Sequence, residues 1–178
     1  MKRVYVITGA SGRLGSRLCE RLAMEHDVLG VYHHTPPTCP SQIVRIVDPL
    51  LPEIVQSARP IHVVRADLNE PRDINLIVEV CLARYGKIDA LVNAAADLRF
   101  YGNLLHTKQY LDHAQKQIYL NAIAPVLLAG SIAERYWKYN VSDNRKYGRH
   151  IVNVSSISGL NIYEGVLGRD SIVLRKLL

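Results

Sequence analysis

A doubly wound parallel α/β sheet is the fold this sequence predicts. Short β-branched runs alternate with longer amphipathic segments along the chain, and a glycine-rich turn joins the first run to the first amphipathic segment. The 178 residues, 48% of them hydrophobic, suffice for one buried core and exclude a disordered chain. Residues 1–178 are therefore read as a single domain.

The elements follow in order. Val4-Tyr5-Val6-Ile7 reads as a buried strand, and Arg13 to Glu25 carries Leu14, Leu18, Leu22 and Ala23 at helical spacing. Val28 to Tyr32 is a second strand. His33 to Pro40 holds too many prolines for a helix. Ile43 to Val47 is either a short strand or an extended edge piece, and Leu50 to Ser57 predicts a brief helix. Ile61-His62-Val63-Val64 is the third clear strand. Ile74 to Tyr85 is helical, with Ile74, Ile77, Val78 and Leu82 on one face. Ile88 to Val92 is the fourth strand, and Tyr110 to Tyr139 is mostly helix with a kink at Pro125. Arg145-Lys146, with Arg149 nearby, reads as a solvated loop before a fifth strand, Ile151 to Val154. Right-handed strand–helix–strand connections then give the strand order 3-2-1-4-5, with helices on both faces. A ligand belongs outside the carboxyl ends of the strands, at the switch between the first and fourth.

Composition narrows the function. The net charge of +6 and pI near 9.3 suit a phosphate-bearing ligand, but the basic residues are too diffuse for a nucleic-acid surface. Cys19, Cys39 and Cys81 are odd in number and form no Cys-x-x-Cys pair. They predict a reducing cytoplasm, no disulfide framework and no metal site. The apolar run at Val4 is too short for a signal peptide, and no stretch reads as long enough to span a membrane.

Thr8-Gly9-Ala10-Ser11-Gly12-Arg13-Leu14-Gly15 sits between the first strand and the first helix. Three glycines at this spacing let the backbone approach a pyrophosphate without Cβ interference. The helix start then offers free N–H groups and a positive dipole end. Gly9, Ser11, Gly12, Arg13 and Leu14 are the candidate phosphate-binding residues of a dinucleotide site. An acidic residue at the end of the second strand would bind the ribose hydroxyls of NAD; here stand Tyr32-His33-His34. The absent carboxylate, with Arg13 in the loop, favours NADP over NAD. His33 joins the cofactor-binding set, and the adjacent histidines read as solvated rather than as metal ligands.

The glycine loop is followed by Asp67-Leu68 after the third strand, Asn93-Ala94-Ala95 after the fourth, Asn121 in the long helix, and Asn153-Val154-Ser155-Ser156 after the fifth. In order and spacing this set resembles the short-chain dehydrogenase/reductase family, a Rossmann-like fold, up to about Gly159. The resemblance implies that Asp67 accepts a hydrogen bond from the adenine amino group, with Leu68 packing beside it. It implies that Asn93 and Ala94 line the cofactor channel. Ser156 would bond the substrate carbonyl, and Asn121 would bend its helix and help place a relay water. Asp67 as a turn residue and Asn121 as a satisfied buried amide stay open. The glycine spacing is one residue tighter than in ordinary members, and the Asn-Ala-Ala-Ala segment lacks the usual second asparagine and terminal glycine.

The family's chemistry also needs Tyr-x-x-x-Lys in the helix after the fifth strand. There the lysine lowers the tyrosine from about pKa 10 toward working pH. No Tyr-x-x-x-Lys occurs in the chain: Leu167 stands four residues after Tyr163, and Ile172 four before Lys176. The chain is thus read as C-terminally incomplete. Asp170 to Leu178 back-translates as GAC AGT ATA GTG CTT CGA AAG CTG CTN. Read from the last base of the aspartate codon, this spells Gln-Tyr-Ser-Ala-Ser-Lys-Ala-Ala, which resembles the missing helix start. The expectation is a frameshift between about Tyr163 and Asp170, against a naturally short form with an unrelated tail. Codons unable to spell that run in another frame would refute it.

The sequence therefore implies an NAD(P)-dependent oxidoreductase of carbonyl or alcohol substrates, impaired in this form. The alternative is a non-catalytic NADP-binding sensor or scaffold. The expected partners are the dinucleotide, a small carbonyl or alcohol, and a second copy through the long helix from about Tyr110, with neither nucleic acid nor membrane.

Overall fold

The computed structural model describes residues 2–40, 42–47, 60–98 and 107–156, with the backbone alone over 107–112. Six parallel strands make one sheet: β1 (Val4–Thr8), β2 (Asp27–Tyr32), β3 (Val44–Ile46), β4 (Ile61–Arg65), β5 (Ala90–Asn93) and β6 (His150–Asn153). Their order is β3-β4-β2-β1-β5-β6. The five strands expected from the pattern therefore stand 3-2-1-4-5. The uncertain Ile43 to Val47 stretch supplies β3 as a sixth strand outside β4. The helix expected over Leu50 to Ser57 lies outside the described residues.

Adjacent residues along each strand enter opposite cores, as a period of two requires. Val6, Leu29, Val64 and Leu91 pack under α2 (Pro71–Tyr85) and α4 (Ala124–Arg135); Ile7, Val28, Val63 and Val92 pack under α1 (Arg13–Ala23). The chain runs outward from β1 through β2 to the edge strand β3, returns one place to β4, and then crosses to β5 on the other side of β1. Right-handed crossovers place α1 and the α2/α4 pair on opposite faces. A crevice is left at the carboxyl ends of β1 and β5.

The buried stripe of α1 differs from the leucine set expected. Gly15, Cys19 and Ala23 are buried, Leu18 and Leu22 are half-buried, and Leu14 is exposed. The start of the helix is tight against the glycine turn, where a Cβ on Gly15 would meet the Gly9 carbonyl oxygen, and Cys19 Sγ stands 3.5 Å from where a Cβ on Gly30 would lie. A Cβ on Gly30 of β2 would come within 2.9 Å of the Ala10 methyl and 3.1 Å of Val63 Cγ1. Burial, with Cys39 nearby, pushes the Cys19 thiol up to about 12.

The long helix is α3 (Thr107–Ile118), a π turn over Tyr119–Ile123, and then α4. The kink expected at Pro125 takes this form because a proline cannot donate to the Asn121 carbonyl. The ladder slips by one residue, with Ala124 N–H bonding the Tyr119 carbonyl. Contrary to the sequence expectation, the run His113–Tyr139 is long and apolar enough to cross a membrane, with a mean hydropathy of 1.2 over its best window. Its apolarity has another use here: Ala124, Leu128 and Ile132 are core residues of the crossover between β5 and β6. The Arg145-Lys146 stretch is also corrected. It belongs to α5 (Val141–Tyr147), and Arg149 is drawn inward to Asp89.

Candidate functional site

β1 ends at Thr8, and the chain turns at Gly9 with φ of 69°, a left-handed conformation glycine adopts without strain. Gly12 N–H then bonds the Gly9 carbonyl at 2.9 Å, and Arg13 opens α1. Each of two glycines is required by a different neighbour. A Cβ on Gly9 would lie 2.7 Å from Ala95 N, at the end of β5; one on Gly15 would lie 2.1 Å from the Gly9 carbonyl oxygen. The N-terminus of α1 has no side-chain cap and no acidic residue in its first turn. Its amides and dipole are left open toward the glycine turn, an arrangement with the chemistry to hold an anion. Ser11 hydrogen-bonds the Thr35 carbonyl, stitching the loop to the segment after β2. Arg13 and Leu14 stand exposed at the mouth.

Thr8 was given no role from sequence, yet it clasps the site. Its hydroxyl oxygen accepts from Ala94 N at 3.1 Å and Ala95 N at 3.2 Å, and its hydroxyl faces the Val92 carbonyl at 3.5 Å. A threonine closing the first strand was the available signal. The clasp holds the end of β5 against the glycine turn.

A second group gathers beyond β2 and β4. His33 Nε2 lies 3.5 Å from Asp67 Oδ2, and the His33 and His34 rings are 3.7 Å apart at 38°. Arg65 Nε donates to the His33 carbonyl at 3.1 Å. Asp67 Oδ1 accepts from Asn69 N at 2.9 Å and Asn69 Nδ2 at 3.1 Å, so it is a turn residue as well as a ring neighbour. Burial opposes its charge, but the Asn69 bonds and the two histidines outweigh this and hold the carboxyl below its ordinary value. Leu68 is buried beside it.

At the other end of the sheet, Asn93 and Asn153 are register partners, and Asn93 Nδ2 donates to Asn153 Oδ1 at 2.8 Å. Asn121 is fully buried in the π turn. Its Oδ1 accepts from Asp97 N and its Nδ2 donates to the Asp97 carbonyl, both at 2.9 Å. The amide thus ties the long helix to the loop after β5 rather than to its own helix. Ser156 follows β6 at the carboxyl edge and is half-buried, while Ser155 is exposed. Asn121→Ala strands both Asp97 groups and is expected to lower stability by about 2 kcal/mol in denaturant unfolding. An unchanged midpoint would contradict the clasp.

Comparison with known proteins agrees with this arrangement. The family model described as short chain dehydrogenase matches residues 3–167. The chain belongs to the short-chain dehydrogenase family. It is 27% identical over 164 residues to a farnesol dehydrogenase of Aedes aegypti, covering 91% of this chain and 60% of that one. It is 23% identical over 156 residues to glucose 1-dehydrogenase 2 of Bacillus subtilis, covering 87% and 54%. Among solved structures, the 3-oxoacyl-[acyl-carrier protein] reductase from Brucella melitensis in complex with NAD superposes with a TM-score of 0.71 at 18% identity, over 98% of this chain and 64% of that one. This likeness confirms the fold. As a short-chain dehydrogenase the chain spans between half and two-thirds of the length of the curated relatives it matches.

Proposed function

We propose that this chain binds a nicotinamide dinucleotide, NADP ahead of NAD, as part of an oxidoreductase acting on a small carbonyl or alcohol. The observation that carries this reading is the uncapped N-terminus of α1 behind a turn where Gly9 and Gly15 leave no room for a Cβ. Gly9, Ser11, Gly12, Arg13 and Leu14 take the diphosphate side, and His33, Asp67 and Leu68 the adenosine side. Asn93 and Ala94 floor the channel between. When bound, the coenzyme supplies the hydride. Ser156 holds the substrate carbonyl, and Asn121 holds the helix and a relay water in place. Relatives named for farnesol and glucose dehydrogenation support the reaction class.

Turnover by this chain is slow, because it holds no Tyr-x-x-x-Lys to move the proton. Loss of a general acid/base costs about 100- to 10,000-fold. Calorimetric titration with NADPH and NADH, beside a ketone panel with NADPH, tests both statements. The expected result is saturable binding with turnover reduced by that factor. Ordinary rates would refute the impairment, and no binding of either coenzyme at millimolar concentration to a folded sample would refute the site.

The missing motif also favours a second reading, a non-catalytic NADP-binding sensor or scaffold. Binding without turnover, together with a partner whose affinity follows coenzyme occupancy, would select it. Three buried free cysteines support a cytoplasmic setting. The exposed Ile118, Ile123, Val126 and Leu127 support self-association through the long helix from about Tyr110.

A further inference from the structure

We propose that Arg17 and Arg21 of α1 form, behind Arg13, an electrostatic track that speeds capture of the anionic coenzyme without touching it once bound. The proposal rests on the dinucleotide reading above and adds which residues set the rate at which the site fills.

Arg13, Arg17 and Arg21 recur every four residues along α1, so they share one face and follow one another at about 6 Å along its axis. That face lies opposite the buried stripe of Gly15, Cys19 and Ala23, and all three arginines are exposed. The row begins at the glycine loop, where the first turn of α1 holds no acidic residue, and runs down the helix away from it. Arg17 pairs with Glu20 Oε2 at 3.1 Å; its side chain is 77% exposed and that of Glu20 only 13%. Arg21 donates to Met24 Sδ at 3.3 Å. Neither contact joins α1 to another element, and an exposed pair three residues apart adds little stability.

The charge of the ligand gives the row its use. NADH carries about two negative charges on its diphosphate, and the extra phosphate of NADPH adds up to two more. The field of a fixed charge reaches about 30 Å at an ionic strength of about 10 mM and only about 3 Å at 1 M. A cation one or two helical turns from the mouth therefore acts on the coenzyme during its approach. Most of that attraction is in place before contact, so it raises the association rate and leaves dissociation nearly unchanged. Glu20 opposes the effect by one unit of charge at the middle of the row.

The test mixes the full chain with NADH or NADPH by stopped flow and follows coenzyme fluorescence, which gives both rate constants. At an ionic strength of about 10 mM, Arg17→Gln/Arg21→Gln is expected to slow association about twofold for NADH and about fourfold for NADPH, in the order of their charges. Dissociation and thermal unfolding should stay near the parent's. Glu20→Gln should do the reverse and speed association of both coenzymes, a gain that lost packing does not produce. At about 500 mM the three proteins should converge. Parental association by the double variant at low salt, a change in dissociation alone, or a difference that survives high salt overturns the track. Failure of both coenzymes to bind overturns the dinucleotide reading itself, whereas tight binding of both with unaltered association removes the track alone.

Discussion

Alanine at Gly15 is expected to lower stability by about 3 kcal/mol and to weaken NADPH and NADH together by at least about tenfold. The added methyl would stand 2.1 Å from the Gly9 carbonyl oxygen and 2.8 Å from its carbon. Those are backbone atoms of a turn already held by Gly12 N–H and packed on Ala95, so no side chain can swing away to make room. Helix α1 must withdraw, and its free amides move off the phosphate position. For a chain of this size the loss corresponds to a fall of roughly 6–12 °C in the thermal midpoint. Gly130→Ala is the control. It lies in the same kind of element, within α4, but its methyl would meet nothing within 4 Å. Helix propensity then predicts a gain of about 0.5–1 kcal/mol. Two glycine-to-alanine changes of opposite sign separate steric demand from helix preference. A Gly15→Ala protein with parental melting and binding would show that the loop does not close as described.

Asp89→Ala is expected to cost about 3–5 kcal/mol, the range for breaking a buried ion pair from one side. Asp89 is 3% exposed. It accepts from Val4 N at 2.8 Å and lies 3.1 Å from Lys87 Nζ. It also pairs with Arg149, whose side chain is only 9% exposed. Arg149 in turn donates to Asn144 Oδ1 at 2.7 Å and lies over the Tyr136 ring. Removing the carboxylate leaves a buried guanidinium and a buried amide where β1, β5 and β6 begin. Asp89→Ala/Arg149→Met removes the stranded charge as well, and should recover a substantial part of the loss in urea unfolding. If the double variant were as unstable as the sum of its single changes, the pair would not be coupled as the geometry requires.

How much of this could be read beforehand depended on the range of each interaction. The glycine loop was legible because much of its demand is local: the positive φ at Gly9 is a property of the turn and the missing Cβ at Gly15 answers a carbonyl six residues earlier, although Ala95 also closes on Gly9 from the end of β5. The strands were legible from their apolar runs, and β3 was visible but ambiguous because three residues carry little pattern. The membership of α1's buried stripe was not legible. Periodicity marked the leucines, while the packing buried Gly15 against the Gly9 carbonyl and Cys19 over Gly30, with Ala23 one turn further along. Arg149 looked like part of a basic surface cluster because its partner stands 60 residues earlier. The same distance separates Asn93 from Asn153, and 86 residues separate Thr8 from Ala94.

The sequence by itself therefore determined the parallel α/β sheet, its strand order and the glycine turn over an open helix end. Periodicity and backbone freedom are properties of residues near one another in the chain, and handedness rules carry them to a topology. Only the tertiary structure decided that Asp67 faces His33, that Asn121 locks Asp97, and that Asp89 draws Arg149 inward. Those partners meet because strands distant in sequence lie side by side, and a buried polar group takes whichever counterpart the packing delivers.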